Sequence, residues 1–214
     1  MKKAIYIIAS LAIVSSIGFG MIQTGGDTSQ VAGTKQLKEG TYQIATTHAK
    51  IPFFEEFSTL ENYSEIIVIG HAVGHQGTYQ VKTDTGAIID KLDKTPFQID
   101  KVFKGNIFKQ STITVMEDGR IEDGVYHNLE GYVKMNDSNQ YLLFLRKTGD
   151  NTYAVNGSYQ GKFNVDKPGK VSNFTSNSIS PQQLGDVEYL GENTEHYNKL
   201  KDKAISKYTI KAAD

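Results

Sequence analysis

The chain opens on an apolar stretch, Ala4 to Ile22, with no charged residue along it and Lys2 and Lys3 just before it. At about 1.5 Å per helical residue it reaches about the 30 Å of a hydrocarbon core. This pattern predicts a signal peptide or a signal anchor over residues 1–23. Both remain open, because Gly18-Phe19-Gly20 and Thr24-Gly25-Gly26 only approximate a cleavage site. No lysine follows the stretch until Lys35, so the charge asymmetry puts the N-terminus in the cytoplasm and the rest of the chain outside.

Residues 24–50 carry glycines and scattered Thr, Ser, Gln and Lys without apolar periodicity, which predicts a flexible tether. Phe54, Phe57 and Leu60 then recur at helical spacing, and Ser58-Thr59-Leu60-Glu61 matches a capping box. A short helical turn is expected there, its aromatic face plugging a core. Glu65 to Val73 is a β-branched run ending in small residues and predicts a long buried strand, bent near Gly70 and Gly74. Residues 82–95 are charged and turn-rich. Phe97 to Asp100 alternates as a half-buried strand does, and Val102-Phe103 breaks the alternation, as a bulge near Lys101 before a turn at Lys104-Gly105-Asn106 would.

Thr112 to Val115, Tyr141 to Leu145, Tyr153 to Val155 and Gln160 to Val165 read as further strands, with Gly149-Asp150-Asn151 as a hairpin connection. Strands at this spacing predict a barrel or sandwich over residues 51–175. The remainder, 176–214, is polar, with one surface helix predicted from Thr194 to Lys207 by Tyr197, Leu200 and Ile205 among charges. No internal repeat interrupts this scheme.

Composition narrows the class. A chain of 214 residues with 20 glycines and 22% charged residues suits one globular domain rich in turns. The formal charge of −1 becomes −3 without Lys2 and Lys3, and Arg120 and Arg146 are the only arginines. That balance argues against a nucleic-acid partner. The absence of cysteine removes disulfides, thiolate metal sites and a cysteine nucleophile, so an exported domain must rely on its packed core.

The order of segments, with Ser64-Glu65-Ile66-Ile67-Val68-Ile69-Gly70, then Phe97-Gln98-Ile99 leading to Val102-Phe103-Lys104-Gly105, a strand, and Tyr141-Leu142-Leu143-Phe144-Leu145, resembles the OB-fold domain of tissue inhibitors of metalloproteinases and the related netrin-type modules. Exported bacterial proteins of unassigned role look similar, with counterparts of Tyr153 to Gly157 and Gln160 to Phe163. The resemblance covers residues 58–165 and implies a mainly β fold: a five-stranded Greek-key, OB-like barrel, here with a short N-terminal helical turn, a C-terminal helix and a separate N-terminal signal or transmembrane helix. It also implies a binding role. Inhibition is not carried over, because the family works through an N-terminal cysteine and disulfides that this chain lacks.

Candidate chemistry is sparse. His71 and His75 lie about 13 Å apart if their segment is a strand, too far to share a metal ion. Glu117, Asp118, Glu122, Asp123 and Glu130 surround two Asp-Gly turns, which turn chemistry explains. A weak cation site in this acidic stretch, 117–130, is the alternative, and with it a cation-dependent hydrolase. No Gly-x-Ser-x-Gly elbow, phosphate-binding loop, dinucleotide fingerprint or His-Glu-x-x-His helix occurs, and no cofactor is implied. Loops 119–132 and 156–161 combine aromatics with amides, which makes Tyr126, His127, Tyr159 and Gln160 the expected ligand-binding residues at the rim. The expected function is a non-catalytic exported module at the cell surface, plasma-membrane-anchored or secreted, with a protein or envelope polymer as its ligand.

Overall fold

A computed structural model describes residues 40–167 and 169–209. The predicted signal or anchor segment and most of the predicted tether lie outside the described residues. Among the described residues no helix is long and apolar enough to cross a membrane. The fold is mainly β, with eleven strands and three α-helices among the described residues.

The strands are β1 (Tyr42–Thr47), β2 (Ile66–Ala72), β3 (Thr78–Lys82), β4 (Ile88–Lys104), β5 (Thr112–Glu117), β6 (Gly119–Glu122), β7 (Val125–Leu129), β8 (Gln140–Gly149), β9 (Thr152–Val155), β10 (Lys162–Asn164) and β11 (Ser178–Ile179). The helices are α1 (Phe57–Tyr63), α2 (Pro181–Asp186) and α3 (Thr194–Tyr208). Five strands close a ring: β2 pairs with β4, β4 with β5, β5 with β9, β9 with β8 and β8 with β2. All of these pairs are antiparallel except β5 with β9. β10 continues beside β9 along β8, matching Phe163 to Leu142.

The β-branched and aromatic runs form the ring because they can bury there. Ile67, Val68, Phe97, Ile99, Val115, Leu143 and Phe144 are all within its core. Between β2 and β4 the register shifts twice, skipping Phe103 and Asp100, so the expected irregularity near Lys101 is two bulges rather than one. Gly70 sits where a Cβ would collide with the Gln98 carbonyl and the Phe97 ring. Only glycine lets the two strands approach there.

α1 closes one side of the ring with Phe57 and Leu60, the Phe57 ring meeting Phe144 edge-on at 5.7 Å. The helix begins one position before Ser58, with Glu56 as its N-cap and no side-chain cap, so the capping box is not used. A real one closes α2, between Ser180 and Gln183. α3 forms where the helix was expected, but it is no surface helix: Tyr197, Leu200, Lys201, Ala204 and Tyr208 are buried.

Two regions depart from the expected organisation. β1 replaces the end of the predicted tether: it runs parallel to β7 and antiparallel to β11, building a four-stranded sheet in the order β11, β1, β7, β6. Its Tyr42 and Ile44 pack with Phe174 against a small second core of Tyr126, Val133, Ile179 and Leu184. Residues 82–95, read as charged and turn-rich, fall largely within a two-stranded ribbon in which β3 pairs with the first part of β4.

Candidate functional site

The four residues expected to form a binding rim separate into different environments. Tyr126 is fully buried in the second core, where its hydroxyl donates to the Tyr132 carbonyl and accepts from the Lys134 N–H. Tyr159 is buried against Tyr189, ring centroids 4.5 Å apart. Gln160 is buried too: its Oε1 accepts from the Phe54 N–H, and its Nε2 donates to the Pro52 and Gly157 carbonyls. These three are packing and clamping groups: Tyr126 stands on β7 within the second core, and α3 covers Tyr159 with Tyr197 and Gln160 with His196. His127 alone keeps partial exposure, on β7 opposite Arg120. Burial, and then the Arg120 charge, push its pKa down.

The acidic stretch is dispersed in the same way. Glu117 is buried and accepts from Thr95 Oγ1 at 2.5 Å, Tyr132 OH at 2.8 Å and the Met135 N–H at 2.7 Å. Burial raises its pKa against those bonds. Glu122 pairs with Lys91 and Arg120, and Glu130 accepts from the Ala49 N–H and meets His48. Among the described residues no three of His, Asp and Glu converge so as to hold a metal ion. His71 and His75 face separate carboxylates, Asp100 at 3.0 Å and Asp93 at 3.7 Å.

Asp118 has a measurable consequence. Burial lifts its carboxyl from 3.8 to about 6; a bond from Ser158 and the charge of Arg146 oppose this, and Asp90 and Glu117 add to it. The folded protein therefore holds this proton at a pH where the unfolded chain has released it. The charged form costs stability at neutral pH, and that cost is relieved as pH falls through about 6 toward 4. Asp118 keeps some solvent contact, which moderates the effect. Asp118→Asn is expected to raise stability at pH 7.5 by roughly 1–3 kcal/mol, with the gain gone near pH 4. Urea unfolding at the two pH values checks this; a gain that persists at pH 4 would mean that the carboxyl is not the cause.

The ribbon, by contrast, faces solvent. Its Thr83–Ala87 loop is closed by the Thr83 N–H on the Ala87 carbonyl and the Gly86 N–H on the Thr83 carbonyl, with Gly86 at φ +86°. β3 pairs with β4 on one side only, so its other edge is free among the described residues. Tyr79 lies opposite Leu92 and Val81 opposite Asp90, which puts Tyr79, Val81 and Leu92 on one face of the ribbon, while the register shift after Val81 sets Ile88 opposite Lys82 on the other face. Tyr79 is 52%, Ile88 48% and Ile89 38% exposed. Three sizeable apolar groups are thus held in water on one short element.

The ribbon is anchored at its base. Buried Asp93 accepts from Thr78 Oγ1 at 3.2 Å and meets Lys134 Nζ at 2.9 Å, while β5 pairs with β4 from Asp93 onward. Farther out, Lys91 meets Glu122 of β6, and Arg120 donates to the Lys91 carbonyl at 3.0 Å. An isolated two-stranded ribbon is marginal in water, so these ties are what hold it out in a defined position. The expected rim residues missed it because its segment reads as charged connection; Tyr79 and the Ile88-Ile89 pair on either side of a Gly turn were the available signal.

Comparison with protein-family models finds no match, and comparison with curated proteins finds none either.

Proposed function

We propose that the chain is an exported, non-catalytic binding module built on an OB-type Greek-key barrel, and that it captures a protein partner along the β3–β4 ribbon. The barrel reading is supported by the ring itself: taking β2, β4, β5, β8 and β9 as strands one to five, they pair in the order 1-2-3-5-4-1, with three and five parallel. The resemblance to the tissue-inhibitor and netrin-type domains is kept for fold alone, and the apolar segment before residue 24 supports export. Fold does not name a ligand.

The observation that carries the binding role is the exposed Tyr79, Ile88 and Ile89 on an element with a free strand edge. Such an edge offers backbone hydrogen bonds to an incoming strand, and the apolar side chains beside it supply burial. A protein partner uses both; a polysaccharide uses neither well.

The test compares the full chain with a Tyr79→Ser/Ile88→Ser/Ile89→Ser variant in capture from envelope extract. Each substitution is expected to change stability by no more than about 0.5 kcal/mol, since the side chains are exposed. Recovery of at least one protein should fall about tenfold or more, as loss of an aromatic anchor does. Equal recovery of every protein by both forms would contradict the proposal.

A further inference from the structure

Resting on that reading of the ribbon, we infer that the strand received by the β3 edge is β3 of a second copy of this chain, paired antiparallel about Gln80. The backbone phase is the first reason. The Lys94 N–H donates to the Gly77 carbonyl at the base of the ribbon. With ladder bonds recurring every second residue, those to β4 fall on Tyr79 and Val81. The N–H and C=O groups of Thr78, Gln80 and Lys82 therefore point to the free edge, symmetrically about Gln80.

The side chains fit the same axis. A two-fold at Gln80 sets Gln80 against Gln80 of the second copy, Lys82 against Thr78, and Val81 against Tyr79. No two like charges face each other in the ladder, and each copy contributes one aromatic to β-branched cross-strand pair. The strip from Leu92 across Tyr79 then continues onto Val81 of the second copy, covering part of the apolar face left in water. Edge strands that must stay single are commonly blunted by proline or by charges along their length. β3 has no proline, and its one charged residue, Lys82, sits at its end. A C2 pairing needs this kind of self-complementary surface.

Because the chain has no cysteine, single cysteines report the register cleanly. Gln80→Cys, Thr78→Cys and Lys82→Cys variants of the full chain, expressed in cells, are treated in whole culture, cells and medium together, with a short bifunctional thiol reagent and run on a denaturing gel. Gln80→Cys should give a species of twice the mass of its own uncross-linked band. Thr78→Cys alone and Lys82→Cys alone should not, since each lies about 13 Å from its own symmetry mate. Coexpressed together they should, because position 78 faces position 82. No dimer from Gln80→Cys or from the mixed pair overturns the inference, as does equal cross-linking by all three single variants, which would report random collision. An adduct of Gln80→Cys with a different protein and no dimer also overturns it, while leaving the binding role of the ribbon in place.

Discussion

Lys201→Ala is expected to destabilise the protein by roughly 3–5 kcal/mol, the cost of stranding a buried charge. Lys201 is fully buried on α3, with Nζ 2.5 Å from Glu188 Oε1 and 2.8 Å from the Gly169 carbonyl, and a further bond to the Lys167 carbonyl. Glu188 completes its own set with the Asn164 N–H and the Tyr197 hydroxyl, both at 3.0 Å on Oε2. The pair thereby ties α3 to β10 and to Lys167 and Gly169. Removing the ammonium leaves the Glu188 carboxylate buried with only two of its three partners. A Lys201→Met/Glu188→Gln double variant should recover much of the loss, because the uncompensated charge is gone. Equilibrium urea unfolding of the three forms measures both effects; a loss below about 1 kcal/mol for Lys201→Ala would mean that water reaches the site and replaces the lysine.

Neighbouring substitutions on β7 should differ sharply. Tyr126→Ala removes a fully buried ring and a hydroxyl that both donates and accepts, and is expected to cost roughly 3–5 kcal/mol. His127→Ala, on the partly exposed face beside Arg120, should cost about 1 kcal/mol or less. Thermal unfolding of the two variants checks the contrast. Similar losses would show that the second core around Tyr126, Val133, Ile179 and Leu184 does not form as described.

That contrast marks where the chain could be read in advance and where it could not. Runs such as Ile66 to Ile69 and Tyr141 to Leu145 are buried on both faces, so hydrophobic continuity alone announces β2 and β8. β1 carries its apolar residues weakly, Tyr42 and Ile44 among Gln and Thr, and gains its place by pairing with Val125 to Leu129, some eighty residues away, and with β11, farther still. Tyr126 and Tyr159 sit among glycines and amides, a pattern shared by exposed loops and by tyrosines whose hydroxyls are satisfied inside a core. Which of the two applies depends on the four-stranded sheet and on α3. The partners of Glu117 are Thr95 of β4 and Tyr132 and Met135 of the connection between β7 and β8, so its role as a structural acceptor has no local signature. The ribbon escaped for the opposite reason: it is solvated on most of its surface, and little of the alternation that betrays a half-buried strand survives in it.

A ribbon that is the contact surface of this molecule in the cell should cross-link to its partner from position 79. A photoreactive phenylalanine analogue replaces Tyr79 in one form of the full chain and Phe108 in another. Phe108 is the stricter control because it is more exposed, at 81%, yet lies outside the ribbon in the turn between β4 and β5. Irradiation of intact cells is expected to give discrete protein adducts, a second copy of the chain included, from position 79 and not from position 108. No adduct from position 79, or the same adducts from both, would contradict the account.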